Sequence, residues 1–305
     1  MKESICYYYN INVDKLDEFG DKYHFKIQNQ DYFFVYYNRS LAELSDIINC
    51  VIDLKNKGLD IHVPVLNIEK SYLTKINDIN YILFQINNPQ EKFNIFDIID
   101  NNQKLVLNDN YSSLYRNNWE RLWEDKIDYY EYQIRELGLD KEIIKNSFSY
   151  YIGLAENAIS YIHIINNRFA NYSPKIVWSH RRIFYPNYRV NYYNPLSFIF
   201  DIEIRDIAEY LKSIFFSVGY NETIEELKTY LKIQKLDGFM YNMLFARMLF
   251  PTYYFDIYED VMNKSRKEED LIKIIEQVEE YEKFLKKAYF EISKYAQLYK
   301  IDWLI

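Results

Sequence analysis

The 305-residue chain has little of what punctuates and braces a fold: 6 glycines, 6 prolines and 2 cysteines. Two cysteines, Cys6 and Cys50, are too few for a disulfide framework or a cysteine-built zinc site, and both are expected to be reduced in a cytosolic compartment. Over residues 1–87 glycine occurs only at Gly20 and Gly58, so no glycine-rich loop covers phosphates there, although backbone amides can bind anions without glycine. No apolar run is long enough to cross a bilayer, and residues 1–20 carry acidic side chains and no apolar signal-peptide core, so no membrane role is expected. Basic residues are outnumbered, 37 Lys and Arg against 45 Asp and Glu, for a formal net charge of −8. That balance argues against nucleic acid as a partner, since duplex-binding proteins carry a basic face. Only a local basic patch around Arg181, Arg182 and Arg189 is left. The four histidines, His24, His62, His163 and His180, are scattered, and there is neither a His-Glu-x-x-His motif nor a serine flanked by glycines.

What is present is ordinary in bulk, 49% hydrophobic and 27% charged, enough for one large domain or two lobes with a sizeable core. Aromatic content is 19%, with 33 tyrosines. A tyrosine-rich surface for assembly or cross-linking is one reading. The codon usage of an A+T-rich genome, which favours Asn, Ile, Lys, Tyr and Phe together, is the preferred one. No internal repeat, low-complexity tract or long linker is visible.

Residues 1–87 predict mixed α and β structure. The runs 23–27 and 31–37 are aromatic and β-branched and predict a hairpin. Ser40 with Glu43 forms a capping box before a helical spacing of Leu41, Leu44, Ile47, Ile48, Val51 and Leu54, which Gly58 stops. Short strands are predicted at 63–66, 71–74 and 81–86. From residue 88 onward the chain reads as mainly helical: 94–100, 112–137, 141–165, 204–217, 222–233, 236–248 and 266–299, with a loop and strand over 176–201. Trp119, Trp123, Trp178 and Trp303 are expected in the core. A small β-rich lobe with one helix (1–87) followed by a large helical lobe (88–305) is the α+β, protein-kinase-like two-lobed layout.

The segment 179–187 reads Ser-His-Arg-Arg-Ile-Phe-Tyr-Pro-Asn, and an apolar run then ends in Asp201. It resembles the His-Gly-Asp-x-x-x-x-Asn loop and following metal-binding aspartate of aminoglycoside and choline kinase-type phosphotransferases. The resemblance is nearest to the CotS/YutH group of spore coat proteins, the YutH branch above all. Four stretches carry it: Trp119-Glu120-Arg121-Leu122-Trp123 leading into Lys126-Ile127-Asp128-Tyr129, the loop at Ser179–Arg182, Phe200 to Tyr210, and Ala246 to Phe255.

The resemblance implies a role for each position. His180 holds the loop backbone. Arg182 replaces the base, and a guanidinium cannot lose a proton near neutral pH; loss of a general base costs on the order of 10²–10⁴ in rate. Asn187 and Asp201 stand where metal ligands would stand, so ATP with Mg²⁺ is the cofactor pair left open to this vestigial site. The rival and preferred reading pairs Asp201 with Arg182. Asp206 is a structural carboxylate capping the next helix, and Arg247, with Pro251, anchors a helix end; neither is catalytic. The run 31–37 contains no lysine, and Lys26 on the preceding strand is the nearby candidate to replace it. The chain is therefore expected to be a pseudokinase, with no catalytic residue assigned. It would act as a structural or binding protein among other spore coat proteins, made in the mother-cell cytoplasm and then layered on the spore. A divergent ATP-dependent small-molecule phosphotransferase, with Lys26 or an arginine supplying the missing lysine, is the alternative.

Overall fold

The structure is a computed structural model and describes residues 1–20, 22–87, 91–105, 109–137, 140–186 and 188–305. The chain opens with helix α1 (Lys2–Tyr9), strands β1 (Asp17–Phe19), β2 (Lys22–Ile27) and β3 (Gln30–Tyr36), and helix α2 (Leu41–Asn56). Strands β4 (Val63–Val65), β5 (Leu73–Ile76) and β6 (Ile79–Ile86), helix α3 (Ile95–Asn102) and a 3₁₀ turn at Asp109–Leu114 follow. Next come α4 (Trp119–Leu137), α5 (Glu142–Arg168), β7 (Ile176–His180), α6 (Arg189–Tyr192) and β8 (Phe198–Ile202). The chain closes on α7 (Arg205–Ser217), α8 (Tyr220–Ile233), α9 (Gly238–Leu249), α10 (Thr252–Met262), α11 (Ile272–Glu276) and α12 (Val278–Ile292). Packing divides it into two units, Met1–Tyr115 with Ile176–Asp201, and Arg116–Lys175 with Ile202–Ile305.

In the first unit an antiparallel sheet runs β1-β2-β3-β6-β4, with β5 also paired to β6. The predicted hairpin is β2 with β3, in register from Lys22↔Val35 to Ile27↔Gln30. Strand periodicity sends alternate side chains to opposite faces. One face places Phe25, Phe34 and Leu83 against Ile5 and Tyr9 of α1 and Val13. The other gathers Val35, Ile82, Phe84 and Ile86, with Leu44 of α2 and Val190 and Leu196 packed on it. Helix α2 starts where expected: the Ser40 hydroxyl accepts from the Glu43 amide, and the Glu43 carboxylate accepts from the Ser40 amide at 3.1 Å. It stops at Gly58, whose φ of +82° is left-handed and lets Leu59 N–H reach back to the Leu54 carbonyl at 3.1 Å. Strands β7 and β8 pair as a separate two-stranded sheet.

The second unit is helical, with a core dense in aromatic rings. Tyr151 stacks on Tyr254 at 3.7 Å between centroids, and Trp123 on Phe250 at 4.1 Å. Several buried phenols are bonded: Tyr161 donates to Asn242 Oδ1 at 2.6 Å, Tyr281 to the Met248 carbonyl at 2.8 Å, and the Tyr254 hydroxyl shares a 2.9 Å bond with Ser147 Oγ.

Several expectations are corrected. The single helix over 112–137 is a 3₁₀ turn and then α4, because Tyr115 leaves the helical path to bridge Phe200 and Asn118 Oδ1 accepts from Arg121 N to start the next helix. The helix over 266–299 is a 3₁₀ turn at Glu268–Leu271, then α11, then α12: Gln277 N–H bonds three residues back to Ile274 at 3.2 Å, which tightens the turn and ends α11. The strand expected at 71–74 lies at Leu73–Ile76, and α1, β1 and α10 were not anticipated. Trp303 is 46% exposed, not core, and its indole N–H donates to Asn157 Oδ1. No described helix is long and apolar enough to cross a membrane.

Candidate functional site

His180 ends β7 with no exposed surface. Its Nε2 lies 2.7 Å from the Tyr192 carbonyl oxygen. A carbonyl only accepts, so this nitrogen carries the proton and the ring staples the loop closed across twelve residues. Trp178, Tyr192 and Phe198 surround the imidazole, with ring centroids at 4.9, 4.2 and 5.6 Å. Arg182 is partly buried, and its Nη1 donates to the Arg181 carbonyl at 2.6 Å. Asn187 lies outside the described residues. Asp201 is fully buried on β8, the strand paired with β7, so His180 and Asp201 sit on neighbouring strands. The basic patch is partly neutralised: Arg189 meets Glu91 at 3.0 Å and Asp97 at 4.0 Å.

A lysine is indeed missing from β3, and another cation serves Glu43. Arg39, in the turn between β3 and α2, places Nη2 2.7 Å from Glu43 Oε1. Its Nη1 donates to the carbonyls of Phe198 at 2.5 Å and Leu196 at 3.2 Å. Its side chain has 0% exposure, so the guanidinium is enclosed and joins the helix glutamate to the start of β8. The neighbouring Tyr37 phenol is pushed up to about 12, by burial first, with Arg39 pulling the other way. Arg39 precedes the Ser40 cap and so lies outside α2, and no motif or helical spacing marks it in the sequence.

Lys26 does not take the lysine's place. It is 61% exposed and sits 3.4 Å from Asp31, which also bonds His24 Nε2 at 2.7 Å. Lys22, four residues before it on the same face of β2, does line a cavity. That cavity is about 260 Å³ and lies on the β3–β6 face of the first unit, walled by Phe19, Phe33, Val35, Phe84, Ile86 and Val190. Its polar lining is Lys22, His62, Asn191 and Asn194. His62 is 3% exposed, and burial, reinforced by the nearby Lys22 amine, lowers its pKa to about 3. The imidazole is therefore neutral at ordinary pH. Lys22 and His62 escaped sequence reading because a lysine and a lone histidine on separate elements carry no motif.

In the second unit Asp206 lies in the first turn of α7 with no exposed surface, while the cap position is Ile204. A carboxylate there still faces the positive end of the helix dipole. Arg247, on α9, is 2% exposed. Its Nε and Nη2 both approach Glu209 Oε1 at 2.8 Å, and its guanidinium lies over Trp119 at 5.0 Å and Trp123 at 5.6 Å. Lys212 joins at 3.5 Å from the same carboxylate and donates to the Phe250 carbonyl at 3.1 Å. This buried network ties α7, α9 and the tryptophan pair of α4 together just before Pro251.

An aminoglycoside phosphotransferase from Alicyclobacillus acidocaldarius superposes on the chain with a TM-score of 0.64 over 96% of this chain and 97% of that one, at 10% identity. Choline kinase LicA from Streptococcus pneumoniae gives 0.52 over 96% and 98%, at 14% identity. At such identities the likeness fixes the fold alone, which is that of the aminoglycoside phosphotransferase and choline kinase-like kinases. In sequence, the endospore coat-associated protein YutH of Bacillus subtilis (strain 168) is 29% identical over 211 residues, 61% of this chain and 61% of that relative. The matched stretch thus covers under two thirds of the relative's length. Residues 2–288 match the family described as Spore coat putative kinase YutH, and the chain belongs to that family.

Proposed function

We propose that the chain is a coat-associated pseudokinase that works by binding and assembly among other coat proteins, and not by turnover. The observation that carries this reading is the enclosure of Arg39. The cation that pairs with the α2 glutamate is sealed from solvent and committed to two backbone carbonyls, and so is withheld from a phosphate chain. A kinase needs its lysine–glutamate pair to present a charge to the nucleotide. Arg182 at the base position points the same way, since it cannot accept the nucleophile's proton. On this reading Arg182 pairs with Asp201 where a metal would otherwise sit, His180 is a loop staple, and Asp206 and Arg247 are structural. Residues 1–87 and 88–305 then act as the β-rich and helical lobes of the fold. The location that follows is the mother-cell cytoplasm, then the coat.

The retention of Asp201 as a fully buried carboxylate at the end of an apolar strand favours a second reading, a divergent ATP-dependent phosphotransferase acting on a small molecule. Thermal melts with ATP across a Mg²⁺ series, followed by a phosphotransfer assay, separate the two. A ligand held at a hundredfold over its Kd adds about 2.7 kcal/mol of stability. The pseudokinase reading expects no turnover of ATP and a fluorescent fusion that coats the spore. Sustained Mg²⁺-dependent ATP consumption, lost in Asp201→Asn, would overturn it.

A further inference from the structure

The cavity on the β3–β6 face has a chemistry of its own. Its wall is mostly carbon, and the sheet register builds it: Phe33 stands opposite Phe84, and Val35 opposite Ile82 on one side and Lys22 on the other. Three flat rings, Phe19, Phe33 and Phe84, and branched aliphatic groups make a slot suited to a planar or branched apolar body. One cation enters this lining. Among the described residues Lys22 has no ion pair, whereas Lys26 on the same face of β2 is engaged with Asp31. The slot also contains an unmet hydrogen-bonding group. His62 Nε2 is buried and without a partner. Asn194 uses its side-chain oxygen on the Leu196 amide at 3.1 Å, and its NH₂ group has no partner among the described residues. Buried polar groups are ordinarily satisfied, and an orphan in a cavity wall points to something that occupies the cavity.

We propose that this cavity binds a small apolar monocarboxylate, an aromatic or branched-chain acid, with its carboxylate held by Lys22, His62 and Asn194 and its body between Phe19, Phe33, Val35 and Phe84. The donor count sets the class. One ammonium, one imidazole N–H and one amide suit the two oxygens of a carboxylate. A nucleoside triphosphate would bring several negative charges to a lining with one cation. A neutral imidazole serves here as a donor, and the carboxylate is the acceptor for its N–H. The site lies within the first unit and does not depend on whether phosphotransfer survives, so loss of the pseudokinase reading leaves it standing.

The test is saturation-transfer NMR and thermal melting of the full chain with benzoate, phenylacetate and isovalerate, each against its neutral primary amide, and with AMP as a further probe. The acids are expected to bind about ten- to a hundredfold more tightly than their amides, the difference made by a charge-assisted contact. Lys22→Met should abolish that preference while leaving amide binding and the melting temperature of the free protein in place. Val35→Trp should close the slot to acids and amides alike. Equal binding of acid and amide, or an acid preference that survives Lys22→Met, would overturn the proposal. So would the absence of binding by all three acids at millimolar concentration, or AMP binding that none of them displaces.

Discussion

Replacing Arg39 by methionine is the sharpest perturbation the structure offers. Methionine keeps an unbranched apolar stem and removes the guanidinium. Glu43, 8% exposed, then loses its 2.7 Å partner, and the carbonyls of Leu196 and Phe198 lose their donor. Removing one member of a buried ion pair costs about 3–5 kcal/mol, because the other charge is left uncompensated. The Ser40 amide and hydroxyl, each 3.1 Å from Glu43 Oε2, still solvate the carboxylate and place the cost at the lower end. At about 2–4 °C per kcal/mol for a unit of this size, a loss of about 3 kcal/mol lowers Tm by about 6–12 °C. The assay is urea and thermal unfolding followed by circular dichroism, on Arg39→Met, Glu43→Gln and the double variant. Glutamine keeps the oxygen that caps α2, so the double variant should be less destabilised than the two singles together, with a coupling of about 2 kcal/mol. A loss under about 1 kcal/mol for Arg39→Met, the value of a solvated surface pair, would refute the claim that this pair is enclosed.

On the proposed pairing, Arg182→Ala strands the buried Asp201 and lowers stability by about 3 kcal/mol or more, and adding Asp201→Asn recovers most of it; an unchanged melting temperature rejects the pair. His62 gives a pH signature. Its folded pKa of about 3 lies below the ordinary 6.5, so between these values the unfolded chain binds a proton that the folded chain does not, and stability falls as pH drops from 6.5 toward 3. At pH 4.5 the loss is about 2.7 kcal/mol, two pH units below the ordinary value. His62→Asn should lose less stability than the parent between pH 7 and pH 4.5 by about that amount, and equal losses in urea unfolding at the two pH values would contradict the assignment.

Local signals in the sequence were strong where one element decides its own structure. The β2–β3 hairpin and the Ser40/Glu43 capping box were legible because strand alternation and cap chemistry act over a few residues. The fragmentation at Tyr115–Asn118 and at Gln277 was not, because each break answers to a partner or a turn that periodicity does not encode. Helix α1 was missed for the same reason: its sequence has a weak apolar stripe, and Ile5 and Tyr9 become core only once Phe25 and Phe34 face them. At the site, the loop could be read as a degraded phosphotransfer motif, and the absence of a β3 lysine was plain. Kinases place the cation in a strand, and on that pattern Lys26 of β2 is the candidate in the sequence. Arg39 lies instead in the turn before the Ser40 cap, where no motif marks it.

The bonded phenols of the helical unit affect how this protein can change over time. A leucine core can be repacked in many arrangements of equal volume, whereas a bonded buried tyrosine must also aim its hydroxyl at a fixed atom, such as Asn242 Oδ1 or the Met248 carbonyl. Drift from tyrosine to phenylalanine keeps the ring but leaves an acceptor bare, so each such step carries a small penalty even when shape is preserved. Burial also pushes the Tyr254 phenol up to about 12, against the pull of its bond to Ser147, so that bond persists through mild alkali. A helical unit built in this way resists both sequence drift and base through the same few oxygen atoms.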